Sequence, residues 1–443
     1  MKTPGPSSTP PIIDEPRRGY KWTVVAMLWF ICFFNYADRQ AVNAIFPLLK
    51  AEFHFDKTQL GLIGAAFTVV YAVTAPFAGT AGDGWPRKTV ILGGLFVWSA
   101  ITGFTSICSK VWHFVFVRGA EGLGETFYFP ASMSLISDYH TKATRSRAMS
   151  LHQTSVYAGT VGGSALAGWL GQIYGWRLPF ILLAVAGITL GFALAAFIRE
   201  PRRNEAEILE RTEAHPSSAI DSDDWHLHAE PSKMPISTFL HEWIRTPTAV
   251  ALAFAFFGAN FVALVFLTWM PTFLNEKFGL NVAKAGLGAT VFIQVASLVG
   301  ATIGGLLADK WRMKHSGGRI LVQGMGTLLG APFIFFCGYT RDLWWLVAAM
   351  TAFGLCKGLY DANIWASLYD VVPASRRGAA VGLMNMIAWS GGALGAILIG
   401  YASDHGMTMS AAISSTAIIY VFVSCVLLFS AVRYAPRDTA RHT

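Results

Sequence analysis

The sequence predicts an all-α membrane protein of twelve transmembrane helices, arranged as two six-helix bundles. Three observations carry that expectation. Of the 443 residues, 53% are hydrophobic and only 14% are charged, whereas soluble domains carry about 25% charged residues. The apolar segments run well past the roughly ten residues of a barrel strand and do not alternate. The only long polar stretch, Glu200 to Arg245, falls near the middle of the chain. A soluble fold could not cover so much apolar surface. A bilayer removes that demand but requires every backbone polar group to be paired, which makes the spans helices.

Taken in order, the chain opens with a tail, residues 1–21. It is rich in Pro, Ser and charge and has no apolar core of a cleavable signal. Spans are expected at 22–49, 58–81, 89–108, 112–137, 148–170 and 178–198, forming an N-terminal half over 22–198. A cytoplasmic linker at 199–246 follows, its prolines and acidic run favouring a partly ordered connection. The second half, 247–432, holds spans at 247–275, 283–307, 318–338, 343–368, 378–402 and 409–432, and 433–443 is a tail. Twelve spans put both termini on one side. Lys and Arg gather in the two tails, the linker and the other loops of that side, such as Arg87–Lys88, Arg145–Arg147 and Arg376–Arg377. The positive-inside rule therefore places both termini in the cytoplasm, with the plasma (inner) membrane as the expected location.

The formal net charge of +8 reads as orientation rather than nucleic-acid binding, which would cluster the charges on one face with aromatics between them. The five cysteines fit no zinc spacing and read as small buried hydrophobes. His215, His226, His228 and His241 in the linker lack tight ligand spacing. No metal, cofactor or nucleic acid is expected, the bilayer is the surrounding partner, and a monomer is expected.

Charges inside spans carry the functional signal, because an ionisable group at mid-bilayer costs about 2.5–3.5 kcal/mol on insertion scales. Asp38, Arg39, Arg118, Glu121, Glu125, Lys357 and Asp361 all fall there. Arg118 and Glu125 are seven apart and share a helix face, with Glu121 beside that stripe. Asp38 and Arg39 point about 100° apart, so Arg39 and Glu125 are placed toward a cavity, and Asp38 toward the span-four Arg or its own helix neighbour. The plain alternative is a charge network that only fixes helix packing. Lys357 and Asp361, four apart in span ten, form either a cavity pair or a self-satisfied one. Trp98, Trp169 and Trp365 suit interfacial or packing roles. The glycines at 159, 162, 163 and 168, and at 391, 392, 395 and 400, suit close packing of spans five and eleven.

The halves also echo each other. Gly79-Thr-Ala-Gly-Asp83-Gly-Trp-Pro-Arg87-Lys88 follows span two, and Gly305-Leu-Leu-Ala-Asp309-Lys310 follows span eight. Gly allows close helix contact and Asp can pair at the helix end, a latch able to break and reform. Both segments resemble the loop signature of the major facilitator superfamily, Gly-x-x-x-Asp-Arg-x-Gly-Arg-Arg. The first copy departs at Gly84 and Pro86, the second after Lys310. The resemblance covers about residues 20 to 432. It implies the major facilitator fold, a central cavity, alternating access by rocking of the halves, and a gating loop at Gly79, Asp83, Arg87, Lys88 and Asp309. Asn35-Tyr36-Ala-Asp38-Arg39, Arg118-Gly-Ala-Glu121-Gly-Leu-Gly-Glu125 and Trp269-Met-Pro271-Thr272 further resemble the anion:cation symporter branch, which includes sialin and the hexuronate and galactonate permeases. The first two motifs also occur in spinster-like lysolipid transporters.

Three functions follow as expectations. The first is proton-coupled symport of a small organic anion such as a sugar acid. Arg39 and Arg118 would hold the carboxylate, and Asp38, Glu125 and Glu121 would serve proton coupling. Tyr36 stands in the span-one motif, and the resemblance places Tyr71 and Asn385 near positions that contact sugar acids. The second is spinster-like lysolipid transport. The third is a transport-inactive sensor. No zinc-protease motif, nucleophile elbow or P-loop is present, so neither an enzyme nor an ATP-driven pump is expected.

Overall fold

The computed structural model describes residues 19–81, 85–201, 205, 236–373 and 376–440. The N-terminal half comprises α1 (Tyr20–Ala44), α2 (Phe46–Phe53), α3 (Lys57–Ala81), α4 (Arg87–Thr105), α5 (Val111–Thr126), α6 (Tyr128–Tyr139), α7 (Lys142–Tyr174) and α8 (Arg177–Ala195). A short helix, α9 (Ile236–Ile244), precedes α10 (Pro247–Phe278), α11 (Val282–Arg312), α12 (Gly318–Tyr339), α13 (Leu343–Asp361), α14 (Ile364–Tyr369), α15 (Arg377–Asp404), α16 (Met409–Ser415), α17 (Ala417–Arg433) and α18 (Ala435–Ala440). Among the described residues these make twelve spans, four of them built from two consecutive helices: α1–α2, α5–α6, α13–α14 and α16–α17.

The breaks have local causes. Pro47 opens α2, where its missing N–H costs nothing. Pro130 in α6 cannot donate to the Thr126 carbonyl, and α5 ends at that residue. At the α13–α14 break the Asn363 side chain donates to Leu359 O at 3.0 Å, a carbonyl near the helix end, and to Gly304 O of α11 at 3.2 Å.

Among the described residues, nine helical segments are apolar and long enough to cross a membrane. The spans that fall short are α1–α2, α5–α6 and α7. They are the spans that carry Asp38 and Arg39, Arg118 with its two glutamates, and a run of polar and glycine residues. The observed helices also overrun several expected boundaries. α7 begins at Lys142 rather than 148 and α11 ends at Arg312 rather than 307, because helices continue past the hydrocarbon into charged turns. Among the described residues of the linker, α9 has Phe239 and Trp243 buried. His215, His226 and His228 lie outside the described residues, and among the described residues no cluster of three or more His, Cys, Asp or Glu forms. Cys425 is exposed on the outer face, unlike the other four cysteines. It joins Phe192, Ile418, Phe422 and Phe429 on a surface that is apolar because lipid, not water, covers it.

Close packing follows the repeat. A Cβ at Gly163 of α7 would lie 2.1 Å from Ala37 O of α1, and a Cβ at Gly391 of α15 would lie 2.3 Å from Phe257 O of α10. Only glycine admits such backbone approach. The repeat also governs charge at the end that carries the termini. Arg87, at the start of α4, pairs with Asp138 of α6 and donates from Nε to Glu200 at 2.7 Å. Its counterpart Arg319, at the start of α12, holds Asp370 at 2.8 Å and Asp309 at 3.4 Å. Arg87, Lys88 and Asp309 thus bind partners within their own half. Lys88 donates from its backbone N to Glu200 at 2.6 Å. Gly79 falls in α3, and Asp83 lies outside the described residues.

The halves meet at the opposite end. Lys50 and Lys57 of the first half share Glu276 of the second, at 2.6 and 3.0 Å. Asp404, at the end of α15, accepts from Lys57 N at 3.2 Å, from Thr58 N at 2.7 Å and from Thr58 Oγ1 at 2.6 Å. These two amides open α3. The third is taken by Asp56, whose side chain accepts from Gln59 N at 2.7 Å while Gln59 Oε1 accepts from Asp56 N at 3.1 Å, a reciprocal capping box. The N-terminus of one half's helix is therefore completed by a carboxylate of the other half.

Candidate functional site

Between the halves lies a cavity of about 580 Å³ whose wall includes Tyr36, Arg39, Gln40, Phe67, Arg118, Tyr157, Lys357, Asp361, Trp365 and Trp389. These positions lie at mid-length of their helices or toward the end carrying the termini. The floor is sealed by cross-half contacts such as Gln40 Nε2 donating to Leu267 O at 2.7 Å.

Arg39 of α1 is the central group. Its Nε donates to Glu125 of α5, and its guanidinium lies over three rings, Tyr36 at 4.5 Å, Phe67 at 4.6 Å and Tyr71 at 5.1 Å. Such faces favour a cation in a desolvated setting. Arg118, two turns before Glu125, donates from Nη1 to Glu121 and from Nη2 to Arg39 O at 3.2 Å. Asp38 turns away from the cavity, accepting from Arg39 N at 2.7 Å and from Thr102 Oγ1 of α4 at 3.2 Å. Arg118, Glu121, Glu125 and Asp38 are all almost fully buried.

Arg118 and Glu125, which share a helix face, do not pair; two separate pairs form, Arg39–Glu125 between helices and Arg118–Glu121 within α5. The cause is spacing. Glu121 is three residues from Arg118 and closes an intrahelical pair, whereas Glu125 lies two turns on, where α1 passes. Polar capacity is left over on both sides of this network. Arg39 Nη1, Arg118 Nε and Glu125 Oε1 are buried with no hydrogen-bond partner among the described residues. An unmet buried donor or acceptor costs about 1–3 kcal/mol, so two donors and one acceptor await a ligand or a proton.

The other sequence-predicted positions distribute as follows. Tyr36 lines the cavity. Tyr71 is buried behind it, its ring 5.1 Å from Trp389. Asn385 sits on α15, half-buried, and is not among the residues lining the cavity. Lys357 and Asp361 pair with each other and both line the wall. Trp365, expected at an interface or in packing, stands on that wall too, edge-on to Phe256 at 5.4 Å. Phe67, Tyr157 and Trp389 went unrecognised in the sequence. Trp389 is one turn beyond Asn385, and α-helical spacing was the one signal that could have found it.

A ligand-sized cavity walled by buried charges, between two helical bundles of repeated design in a membrane-spanning chain, is the architecture of a membrane transporter. The chain belongs to the Major Facilitator Superfamily, whose family model matches residues 28–396 and, in a second match, 289–443. It is a membrane transporter, not an enzyme. It is similar to the probable galactarate/D-glucarate transporter GudP of Escherichia coli (strain K12), with 26% identity over 87% of this chain and 88% of the relative. It is also similar to the hexuronate transporter of Bacillus subtilis (strain 168), with 23% identity over 92% of this chain and 94% of the relative. Protein spinster homolog 1 of Xenopus tropicalis is 25% identical over 92% of this chain and 78% of the relative. Among solved structures, a bacterial homolog of the human lysosomal transporter spinster, in an inward-facing and occupied conformation, has the same fold. The TM-score is 0.77 with 19% identity, covering 96% of this chain and 99% of that one.

Proposed function

We propose that this chain is a proton-coupled symporter of a small organic anion of the sugar-acid class. The observation that carries this reading is the pair of unmatched buried donors, Arg39 Nη1 and Arg118 Nε, on two residues that line one cavity. A carboxylate supplies the acceptors they lack, and charge-assisted bonds of this kind are the strong ones. Glu125, with a free oxygen beside Arg39, is the proton carrier, and Asp38 and Glu121 are the further coupling carboxylates. The named substrates of relatives such as GudP and the hexuronate transporter support the same class. The aromatic rings around Arg39 orient it, and Tyr71 reaches the substrate through that arrangement.

Similarity to spinster homolog 1 favours a second reading, transport of a lysolipid with the same carboxylates. Purified protein in proteoliposomes with an imposed pH gradient decides. Accumulation of radiolabelled hexuronate is expected. Movement of lysolipid without hexuronate would favour the second reading, and binding without movement of either would point to a sensor.

Both termini are read as cytoplasmic, in the plasma membrane, with the protein acting as a monomer. On that reading the cross-half seal faces outside and the cavity faces in. A cysteine introduced at Ser217, a linker position outside the described residues, is expected to react with an impermeant maleimide only from the cytoplasmic side. Labelling of intact cells from outside would reverse the orientation.

A further inference from the structure

The charged side chains on the cavity wall are Arg39, Arg118, Lys357 and Asp361. Asp38, Glu121 and Glu125 are not on it and stand behind the two arginines. A ligand in the cavity therefore faces three cationic side chains and one acidic one, each cation also holding a carboxylate: Glu125, Glu121 and Asp361 respectively. The cations are divided between the halves. Arg39 and Arg118 belong to α1 and α5, and Lys357 to α13.

We propose that Lys357, steadied by Asp361, is a second anion anchor that selects sugar acids bearing an acid group at each end over those bearing one. The proposal rests on the sugar-acid reading above. One carboxylate takes the free donors of Arg39 and Arg118, and the other takes Lys357 from the opposite wall.

The chemistry of the pair suits this role. Lys357 is 16% exposed and its partner Asp361 31% exposed, so the pair is reachable from the cavity rather than sealed in the bundle. Asp361 offsets the cost of a cation with little exposure, since an unpaired buried charge is strongly destabilising. Lysine is a flexible point charge with three donors. It can turn one donor to an arriving carboxylate while keeping another on Asp361. Asp361, an acceptor only, is then free to take hydroxyl donors along a sugar-acid chain. Tyr157 of α7, on the first half, lines the cavity and lies within electrostatic range of both members of the pair. A cavity of about 580 Å³ whose wall includes residues of both halves is within the usual range for small-molecule sites.

Galactarate and galactonate form a matched pair of probes. They share a six-carbon polyol chain and one carboxylate, and differ in whether the far end is a carboxylate or a hydroxymethyl group. Affinities are read from thermal shift and from competition in counterflow, in wild type, Lys357→Gln, Asp361→Asn and the double variant K357Q/D361N. Wild type is expected to bind galactarate more tightly than galactonate. The ratio of the two affinities is expected to fall roughly ten- to a hundred-fold in Lys357→Gln, the worth of one hydrogen bond to a charged group. The double variant keeps the wall free of an uncompensated charge, so a low ratio there as well excludes misfolding as the cause. An unchanged ratio in a folded Lys357→Gln or double variant would overturn the second anchor while leaving the sugar-acid reading intact. Binding of neither acid by wild type would overturn both.

Discussion

Arg39→Ala and Arg118→Ala are each expected to abolish uptake while the protein still reaches the membrane. Arg39 Nη1 and Arg118 Nε are buried guanidinium nitrogens with no hydrogen-bond partner among the described residues, on two residues that line the cavity. Neither can be replaced within its own network. Arg118 uses one arm of its fork on Glu121 and another on the Arg39 carbonyl, which leaves the third direction for a ligand. Lysine keeps the charge but not three fixed directions, so Arg118→Lys is expected to transport poorly. Arg39→Ala also strands Glu125, and breaking a buried pair costs about 3–5 kcal/mol. Membrane abundance is therefore measured beside uptake, and E125Q in the Arg39→Ala background removes the stranded charge. Normal uptake by both alanine variants would remove the anion-site assignment.

Glu125→Gln is expected to separate exchange from accumulation. The substitution keeps shape and mimics the protonated acid. It leaves Arg39 with a neutral partner, so substrate binding and counterflow continue. Gradient-driven accumulation is expected to fall to the equilibration level. The coupling follows from geometry: a proton on Glu125 loosens its hold on Arg39 and favours a substrate carboxylate there. By linkage the substrate favours that proton by the same factor. The competition takes place at Arg39, the residue that Glu125 holds. Asp38→Asn is expected to show the same split less severely, since Asp38 accepts from the Arg39 backbone and from Thr102 rather than from a guanidinium. Both assays are run on the same proteoliposomes. Wild-type accumulation by Glu125→Gln would make Glu125 structural and send the proton path elsewhere.

Twelve spans, the internal repeat and the charged residues of spans one, four and ten were legible in the chain because each is a local property. Hydropathy, the Asp-bearing loops and ionisable groups in apolar runs need no knowledge of neighbours. The close-packing glycines were legible for the same reason. Which carboxylate pairs with Arg39 was not, because three- and four-residue spacings leave Glu121 and Glu125 on nearly the same face of α5. The choice depends on where α1 crosses. Phe67 and Trp389 escaped notice because an aromatic residue in an apolar span looks alike whether it faces lipid, core or cavity. Asp138, Asp370 and Glu200, the partners of the basic residues at the ends of α4 and α12, are separated from them by about fifty residues or more. No periodicity connects such positions.

Asp404 gives the transport cycle a resting preference. Its carboxylate completes the first turn of α3 from across the interface, so the side that is sealed here cannot open without handing two amides to water. Losing a helix cap costs about 0.5–2 kcal/mol, or roughly two- to thirty-fold in population. In the proposed alternating-access cycle an empty carrier is expected to rest with this gate shut, and the occupied one to recover that free energy from its cargo before the gate swings. The first turn of one helix works as a pawl, and its catch belongs to the other half of the molecule.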